Sequence, residues 1–165
     1  MAREWITRLV ADERRRDDER SRAADAAARK LAIVRAQGQR LIDELRTTVG
    51  LDLETFRGEF PGDVARETTF ETTQPGGGFV IRKPAYPMVA LSVTPNLPAE
   101  SVRCEYRFTP NNGLPSRDDR IDFLLTSNGA DDTLHIKHPG TGQVFTTAET
   151  LSEYLLVPVL TGRPR

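Results

Sequence analysis

This sequence of 165 residues is poor in cysteine and long apolar runs, and each scarcity excludes something. A single cysteine, Cys104, excludes an internal disulfide, so the fold has to be stabilised by packing. We expect a reducing compartment, the cytoplasm. The sequence shows no apolar segment of a secretory leader and no uninterrupted run of bilayer length, so we expect neither export nor a membrane span.

An excess of one charge sign is also absent. Lys and Arg number 23 against 24 Asp and Glu, which gives a net charge of −1 and no general attraction to a polyanion. Acidic residues flank the run Arg14–Arg15–Arg16 on both sides and offset its charge. No aromatic residue alternates with these arginines to stack on bases. We therefore expect no nucleic-acid partner and no membrane partner.

Proline is missing from the first third of the chain. Residues 3–49 contain none of the 11 prolines and only one of the 12 glycines, Gly38, which predicts a single long helix with Gly50 as its stop. Prolines and most glycines then punctuate short apolar runs. We predict two parts, a helix over residues 1–50 and a sheet domain over residues 51–165.

The predicted helix has two different halves. Residues 12–22 hold no large apolar side chain but carry acid–arginine pairs at helical spacing, which lets a helix exist in water without a packing partner. The second half has an apolar stripe at spacings of three and four, formed by Leu31, Val34, Gly38, Leu41 and Leu45. The stripe predicts packing, either on the chain's own sheet or on a second copy, and Gly38 permits close approach.

The second part predicts an antiparallel β-meander. The clearest strand alternates the inward residues Val102, Cys104, Tyr106 and Phe108 with polar ones, which indicates a sheet with one buried face. Similar runs predict five to seven strands in total, joined by tight turns such as Asn128–Gly129 and Pro139–Gly142 and by a polar loop over residues 110–120.

A closing helix is predicted to cover the buried face. Thr146 and Glu149 have the spacing of a capping box, and the apolar residues that follow include Leu151, Tyr154 and Leu155. Pro158 is predicted to bend or end this helix. The fold class is therefore α+β: a long N-terminal helix, an antiparallel meander with one buried face, and a C-terminal helix packed on that face.

Residues with catalytic or metal-binding chemistry do not converge in the pattern. Cys104 is predicted to lie inside the sheet without a base beside it. His135 and His138 are three apart on or near a strand, so regular β structure would direct them to opposite faces. We expect no enzyme activity, no cofactor and no metal site.

Two functional hypotheses remain from the sequence. The first is a non-enzymatic interaction or assembly module that engages a protein partner or a second copy through the N-terminal helix. Its candidate residues are the stripe and the basic residues of the exposed sheet face: Leu31, Val34, Gly38, Leu41, Leu45, Arg82, Arg103, Arg107 and Lys137. The alternative is a small apolar-ligand domain with a pocket between curved sheet and C-terminal helix. Its candidate lining is aromatic: Phe79, Tyr106, Phe108, Phe123 and Tyr154.

Overall fold

The computed structural model describes residues 3–73, 76–127 and 132–165, and it begins with one long helix. This helix, α1, spans Glu4–Glu59 and is followed by a short 3-10 turn at Val64–Arg66. The seven strands are β1 Thr69–Thr73, β2 Gly78–Lys83, β3 Met88–Asn96, β4 Ser101–Thr109, β5 Arg117–Ser127, β6 Leu134–Lys137 and β7 Val144–Phe145. The chain then forms helix α2, Ala148–Thr161.

The strands lie in the sheet in the order in which they occur along the chain, from β1 to β7, and every neighbouring pair is antiparallel. This arrangement confirms the predicted meander. The turn predicted at 139–142 is present, and the backbone N–H of Gly142 donates to the carbonyl of His138 at 3.0 Å. The turn predicted at Asn128–Gly129 lies outside the described residues.

One face of the sheet is buried, as the alternation predicts. Val102, Tyr106 and Phe108 are no more than 6% exposed, whereas Arg103 and Arg107 between them are exposed. Strand pairing continues the apolar face sideways across the sheet. One such row runs through Ile81, Leu91 and Tyr106, and another through Phe79, Val93 and Cys104.

Both helices cover this apolar face and share one core with it. The second half of α1 contributes Ile42, Leu45, Val49 and Leu53, and α2 contributes Leu151, Leu155, Leu156 and Val159. The helices also contact each other, because the buried hydroxyl of Ser152 donates to a carboxylate oxygen of Asp52 at 2.6 Å. The predicted placement of the C-terminal helix is confirmed, and α1 is a second cover beside it.

The predicted end of the first helix is wrong. Gly50 does not stop α1, which continues to Glu59. A glycine inside a helix costs about 1 kcal/mol. Leu53, one turn further on, is only 2% exposed, and burying a leucine contributes about 1.5–3 kcal/mol. The packing of the next turn therefore outweighs the local stop signal, and the division predicted at residue 50 falls inside α1.

Helix α2 differs from its prediction at the N-terminal end. Its N-cap is Thr147, whose hydroxyl accepts from the backbone N–H of Thr150 at 3.2 Å, and not Thr146. Of the two outcomes left open for Pro158, ending the helix does not occur, because α2 continues through it to Thr161. Proline lacks the N–H that would bond to the carbonyl of Tyr154, and the Arg165 guanidinium donates to that carbonyl at 3.0 Å instead.

The polar loop predicted over residues 110–120 is shorter than expected. Strand β5 already begins at Arg117 and pairs with β4 from there onward. Arg117, Asp118, Asp119 and Arg120 thus belong to the sheet. The prediction failed because these four side chains are all charged and none of them is buried, so no apolar alternation marks the start of the strand.

Candidate functional site

The first half of α1 projects away from the rest of the fold. Every residue from 3 to 29 is exposed, and Ile33 is the first buried residue of the helix. The body first meets the helix where Arg29 pairs with Asp132 and Lys30 with Glu100. We call residues 4–29 the arm and the remainder of α1 the docked half. At 1.5 Å per residue the arm extends about 39 Å.

Ion pairs within the helix support the arm in water. Four acid–arginine pairs three or four residues apart have oxygen–nitrogen distances between 2.9 and 3.5 Å: Glu4–Arg8, Asp12–Arg15, Glu13–Arg16 and Asp17–Arg20. Each contributes about 0.2–0.5 kcal/mol to helix formation. Together with five alanines between residues 23 and 28 they explain a helix without a packing partner.

The tip of the arm carries large apolar side chains that nothing in the fold covers. Trp5, Ile6, Leu9 and Val10 are 56%, 37%, 50% and 43% exposed. Trp5 with Leu9, and Ile6 with Val10, are four residues apart and therefore lie on one side of the helix. Single exposed apolar residues are normal, whereas these four adjoin and form an uncovered apolar patch at the end of the helix.

Sequence reasoning placed the candidate site on the apolar stripe of α1 and missed the tip. In the fold, Val34, Gly38 and Leu45 are buried and Leu31 and Leu41 partly so. A side chain at Gly38 would come within 2.9 Å of Leu97 Cδ2, which shows how closely the helix approaches the turn after β3. Of the two open alternatives, the stripe packs on the chain's own sheet, so its buried residues are not a surface for a partner.

The signal for the tip was present in the sequence. Two apolar doublets, Trp5–Ile6 and Leu9–Val10, stand at helical spacing immediately before the charged segment. Such an amphipathic turn has no structural purpose within an isolated, otherwise polar helix.

The basic residues of the exposed sheet face are largely paired. Arg82 meets Glu71 at 3.1 Å, Arg103 meets Asp122 at 3.0 Å, and Arg107 meets Asp118 at 3.9 Å. Lys137 is exposed at the end of β6. The cross-strand acids offset these arginines, so this face does not present the positive surface that an acidic partner would need.

The most tightly held acid on this face is Asp122. Hydrogen bonds from Arg120 and Arg103 to its carboxylate lower the pKa of Asp122 below its ordinary value. The same contact with Asp122 raises the pKa of Arg120. Both shifts have the same cause: contact between opposite charges on the exposed face favours the charged form of each group.

The aromatic residues proposed to line a ligand pocket are packed together. Phe79 and Phe123 are fully buried, and the Tyr106 hydroxyl donates to the Leu155 carbonyl at 2.6 Å. Tyr106 and Phe108 stack with their ring centres 5.6 Å apart, and the ring of Tyr154 meets that of Phe123 edge-on at 6.2 Å. These side chains fill the space between the sheet and α2 that a ligand would need.

Among the open depressions that the described residues outline, three have volumes of about 1020, 470 and 470 Å³. The largest lies between the docked half of α1, Thr133–His135 and the start of α2. The second lies on the charged face of the sheet, and the third lies between α1 and β1. None of these three is lined by Phe79, Phe108, Phe123 or Tyr154.

Cys104 and His138 carry reactive groups, and each takes part in the packing or a turn of the fold. Cys104 is buried as predicted, and burial, with a smaller contribution from Asp122, raises the pKa of its thiol far above the ordinary value. His138 accepts hydrogen bonds at Nδ1 from the N–H groups of Gly140 and Thr141, which holds the turn before β7. Over residues 3–73, 76–127 and 132–165 there is no cluster of three His, Cys, Asp or Glu side chains arranged to hold a metal ion.

No protein-family model, curated protein or solved structure matches this chain. Within the part of the chain that the structure describes, neither helix has an apolar stretch of the length and hydropathy needed to cross a membrane.

Proposed function

We propose that this protein is a non-enzymatic interaction or assembly module whose N-terminal arm engages a protein partner. The observation that carries the proposal is the exposed apolar tip, formed by Trp5, Ile6, Leu9 and Val10, at the end of an otherwise polar helix. In this proposal the sheet and α2 are the stable body, and the arm is the part that acts. The compartment is the cytoplasm, where the unpaired Cys104 stays reduced.

The energetic cost of the arm supports this assignment. Fixing the backbone of a residue costs about 1–2 kcal/mol, and the arm recovers none of it by burying apolar side chains in the fold. Within the chain, only exposed ion pairs and helix propensity stabilise it. Binding that buries the tip would add to this stabilisation, because each fully buried large apolar side chain contributes about 1.5–3 kcal/mol.

The surface composition of the arm also supports the proposal of a protein partner. Its surface combines a small apolar tip with a nearly balanced mixture of Arg, Asp and Glu. A nucleic acid would need a stripe of uncompensated cations. The balanced pattern instead fits a helical or charged protein surface that can match both signs.

A photo-crosslinking amino acid placed at Leu9 tests the proposal in the cells that naturally make the chain. We expect a covalent protein adduct from Leu9, where the side chain is exposed at the tip. The matched control is the same substitution at Val157, which is similarly exposed on α2, and we expect no adduct there. If Leu9 gives no adduct, or if both positions give the same adducts, the arm is not the interaction surface.

A further inference from the structure

The partner that best fits the arm is a second copy of the arm. We propose that two chains associate through their arms as an antiparallel, two-fold symmetric helix pair in which residue n lies level with residue 33 − n of the other copy. The inference rests on the proposed function and names its partner. It is carried by three independent properties of the arm: its charge sequence, its face and its length.

The charge sequence of the arm is complementary to its own reverse. In this register Glu13 faces Arg20 of the second copy, and the two-fold symmetry forms this pair twice. Arg16 and Asp17 lie beside the two-fold axis, on opposite flanks of the face. The other opposite-sign level matches lie on the outward side of both helices and do not contact each other: Glu4 with Arg29, Arg8 with Asp25, Arg14 with Glu19 and Arg15 with Asp18. The single like-sign match is Arg3 with Lys30, at the margin, where Lys30 already contacts Glu100 at 3.2 Å. Sliding the helices past each other separates the two Glu13–Arg20 pairs, which favours this register over its neighbours.

The same register brings one continuous face of each arm against the other. At spacings of three and four this face comprises Ile6, Leu9, Val10, Glu13, Arg16, Asp17, Arg20, Ala23, Ala24 and Ala27. It continues into Leu31, Val34 and Gly38 of the docked half, which already sit on the body. With about 100° of rotation per residue, positions n and 33 − n lie at equal angles on either side of the middle of this face. The charge register is therefore also the register in which the two faces meet.

Large and small side chains alternate across the proposed contact. Ile6 is level with Ala27 of the second copy, and Leu9 is level with Ala24. Trp5 and Val10 border the same end of the face, where the opposing helix is rich in alanine. A large residue opposite a small one lets two helices approach closely and interdigitate. The small alanine side chains of one arm would thus leave room for the large apolar side chains at the tip of the other copy.

The length of the arm fits the register as well. Arg29 and Lys30 are the first residues of α1 that pair with the body. Residue 3 of the second copy is level with Lys30, so each tip stops where the other body begins. Sliding the helices further together would drive the tip into the body, and sliding them apart would expose the apolar tip and misalign the charges.

The register is tested by reversing the charge of Glu13 in one copy and of Arg20 in the other. In the proposed pair, Glu13→Arg opposes Arg20 of the other copy, and Arg20→Glu opposes Glu13, so each single variant should weaken self-association about tenfold in sedimentation equilibrium. When the two single variants are mixed, both contacts become opposite in sign, and we expect a mixed dimer as tight as the parent. A mixture that associates no better than the single variants alone would overturn the register.

The matched control for these variants is Asp18→Arg. It makes the same change of charge as Glu13→Arg, on an equally exposed residue of the arm, but points away from the proposed contact. We expect its association constant to stay within about twofold of the parent. A loss as large as that of Glu13→Arg would mean that net charge, and not facing pairs, governs association.

Disulfide trapping distinguishes antiparallel from parallel pairing. Residue 17 lies next to the two-fold axis, so Asp17→Cys should give a disulfide-linked dimer under mild oxidation. In Glu13→Cys the two thiols would be about 10 Å apart along the helices, beyond disulfide reach, and no link should form. The native Cys104 is buried and does not interfere. Linking at both positions would indicate a parallel pair and overturn the inference.

Failure of this inference and failure of the proposed function give different results. A purified chain that remains monomeric up to about 100 μM, a weak protein affinity, overturns the second-copy inference. If Leu9 then still forms an adduct of mass other than twice 18.4 kDa, the arm engages a different protein and the proposed function stands. An adduct of twice the chain mass supports both, and no adduct contradicts the function itself.

Discussion

The two halves of α1 have the same covalent backbone and the same helical geometry but opposite relations to the rest of the protein. In the docked half, Ile42 and Val49 are fully buried, and Gly38 lies against Leu97. In the arm, every residue is exposed and, apart from the pair of Arg29 with Asp132, the ion pairs lie within the helix. The comparison teaches that a helix can be continuous while its stabilisation changes completely along its length, from tertiary packing to local pairing.

The largest expected difference between the halves comes from truncating a leucine in each. Leu45→Ala removes a side chain that is 1% exposed, and we expect a loss of about 2–5 kcal/mol in the free energy of unfolding. Leu9→Ala removes a half-exposed side chain of the arm and should leave the unfolding of the dilute monomer unchanged. Urea unfolding of both variants measures the contrast, and equal losses would mean that the arm belongs to the folded core.

Glycine replacement within α1 gives the next largest effect. Gly38→Val would bring side-chain atoms against Leu97, whose Cδ2 is 2.9 Å from the position of a Cβ, and overpacking of this kind costs about 1–3 kcal/mol. Gly58→Val is the matched control, because nothing lies within 4 Å of its Cβ position. There we expect a small gain from helix propensity. Thermal unfolding of the two variants should move in opposite directions.

The join between the docked half and the sheet is tested at Gln37. Its side-chain amide donates to the carbonyl of Asp132 at 2.7 Å and accepts from the N–H of Leu134 at 3.1 Å. Gln37→Ala should cost about 1–3 kcal/mol and speed hydrogen exchange at the Leu134 amide. Gln39→Ala, which removes a bond to Asp43 on the exposed side, should change neither measurement. Unaltered exchange at Leu134 in Gln37→Ala would contradict this description of the join.

The smallest effect is expected on the exposed sheet face, where pairing resembles that of the arm. Arg120 and Arg103 lower the pKa of Asp122, so its contribution to stability is complete above the pKa of the unfolded state. That contribution disappears as the pH falls through the lower pKa of the folded state. We therefore expect Asp122→Asn to be slightly less stable than the parent at neutral pH, with the unfolding curves converging in strong acid. A constant difference down to pH 2 would assign the effect to something other than this titration.

The body of the fold could be predicted from the sequence because its signals are local and agree with one another. Alternation along Val102–Phe108 identifies the buried face of β4, and proline and glycine mark the connections. The error at the end of α1 occurred where a distant contact decides, because the burial of Leu53 extends the helix through Gly50.

The candidate site was harder to predict than the fold. The stripe of Leu31 to Leu45 has the spacing of an interaction helix, and the same spacing serves to bury a helix on its own sheet. Periodicity identifies an apolar face but not what covers it. The tip has fewer apolar residues than the stripe and was not among the predicted candidates, although the fold leaves its apolar side chains uncovered.

The sequence by itself determined the long helix, the order and faces of the strands, and the charge pattern of the arm, since each depends on residues close together in the chain. Only the tertiary structure decided where α1 ends, that its second half packs on the chain's own sheet and that its apolar tip is free. The physical reason is that burial is a property of surfaces brought together over large separations in sequence, such as Asp52 with Ser152 and Gly38 with Leu97.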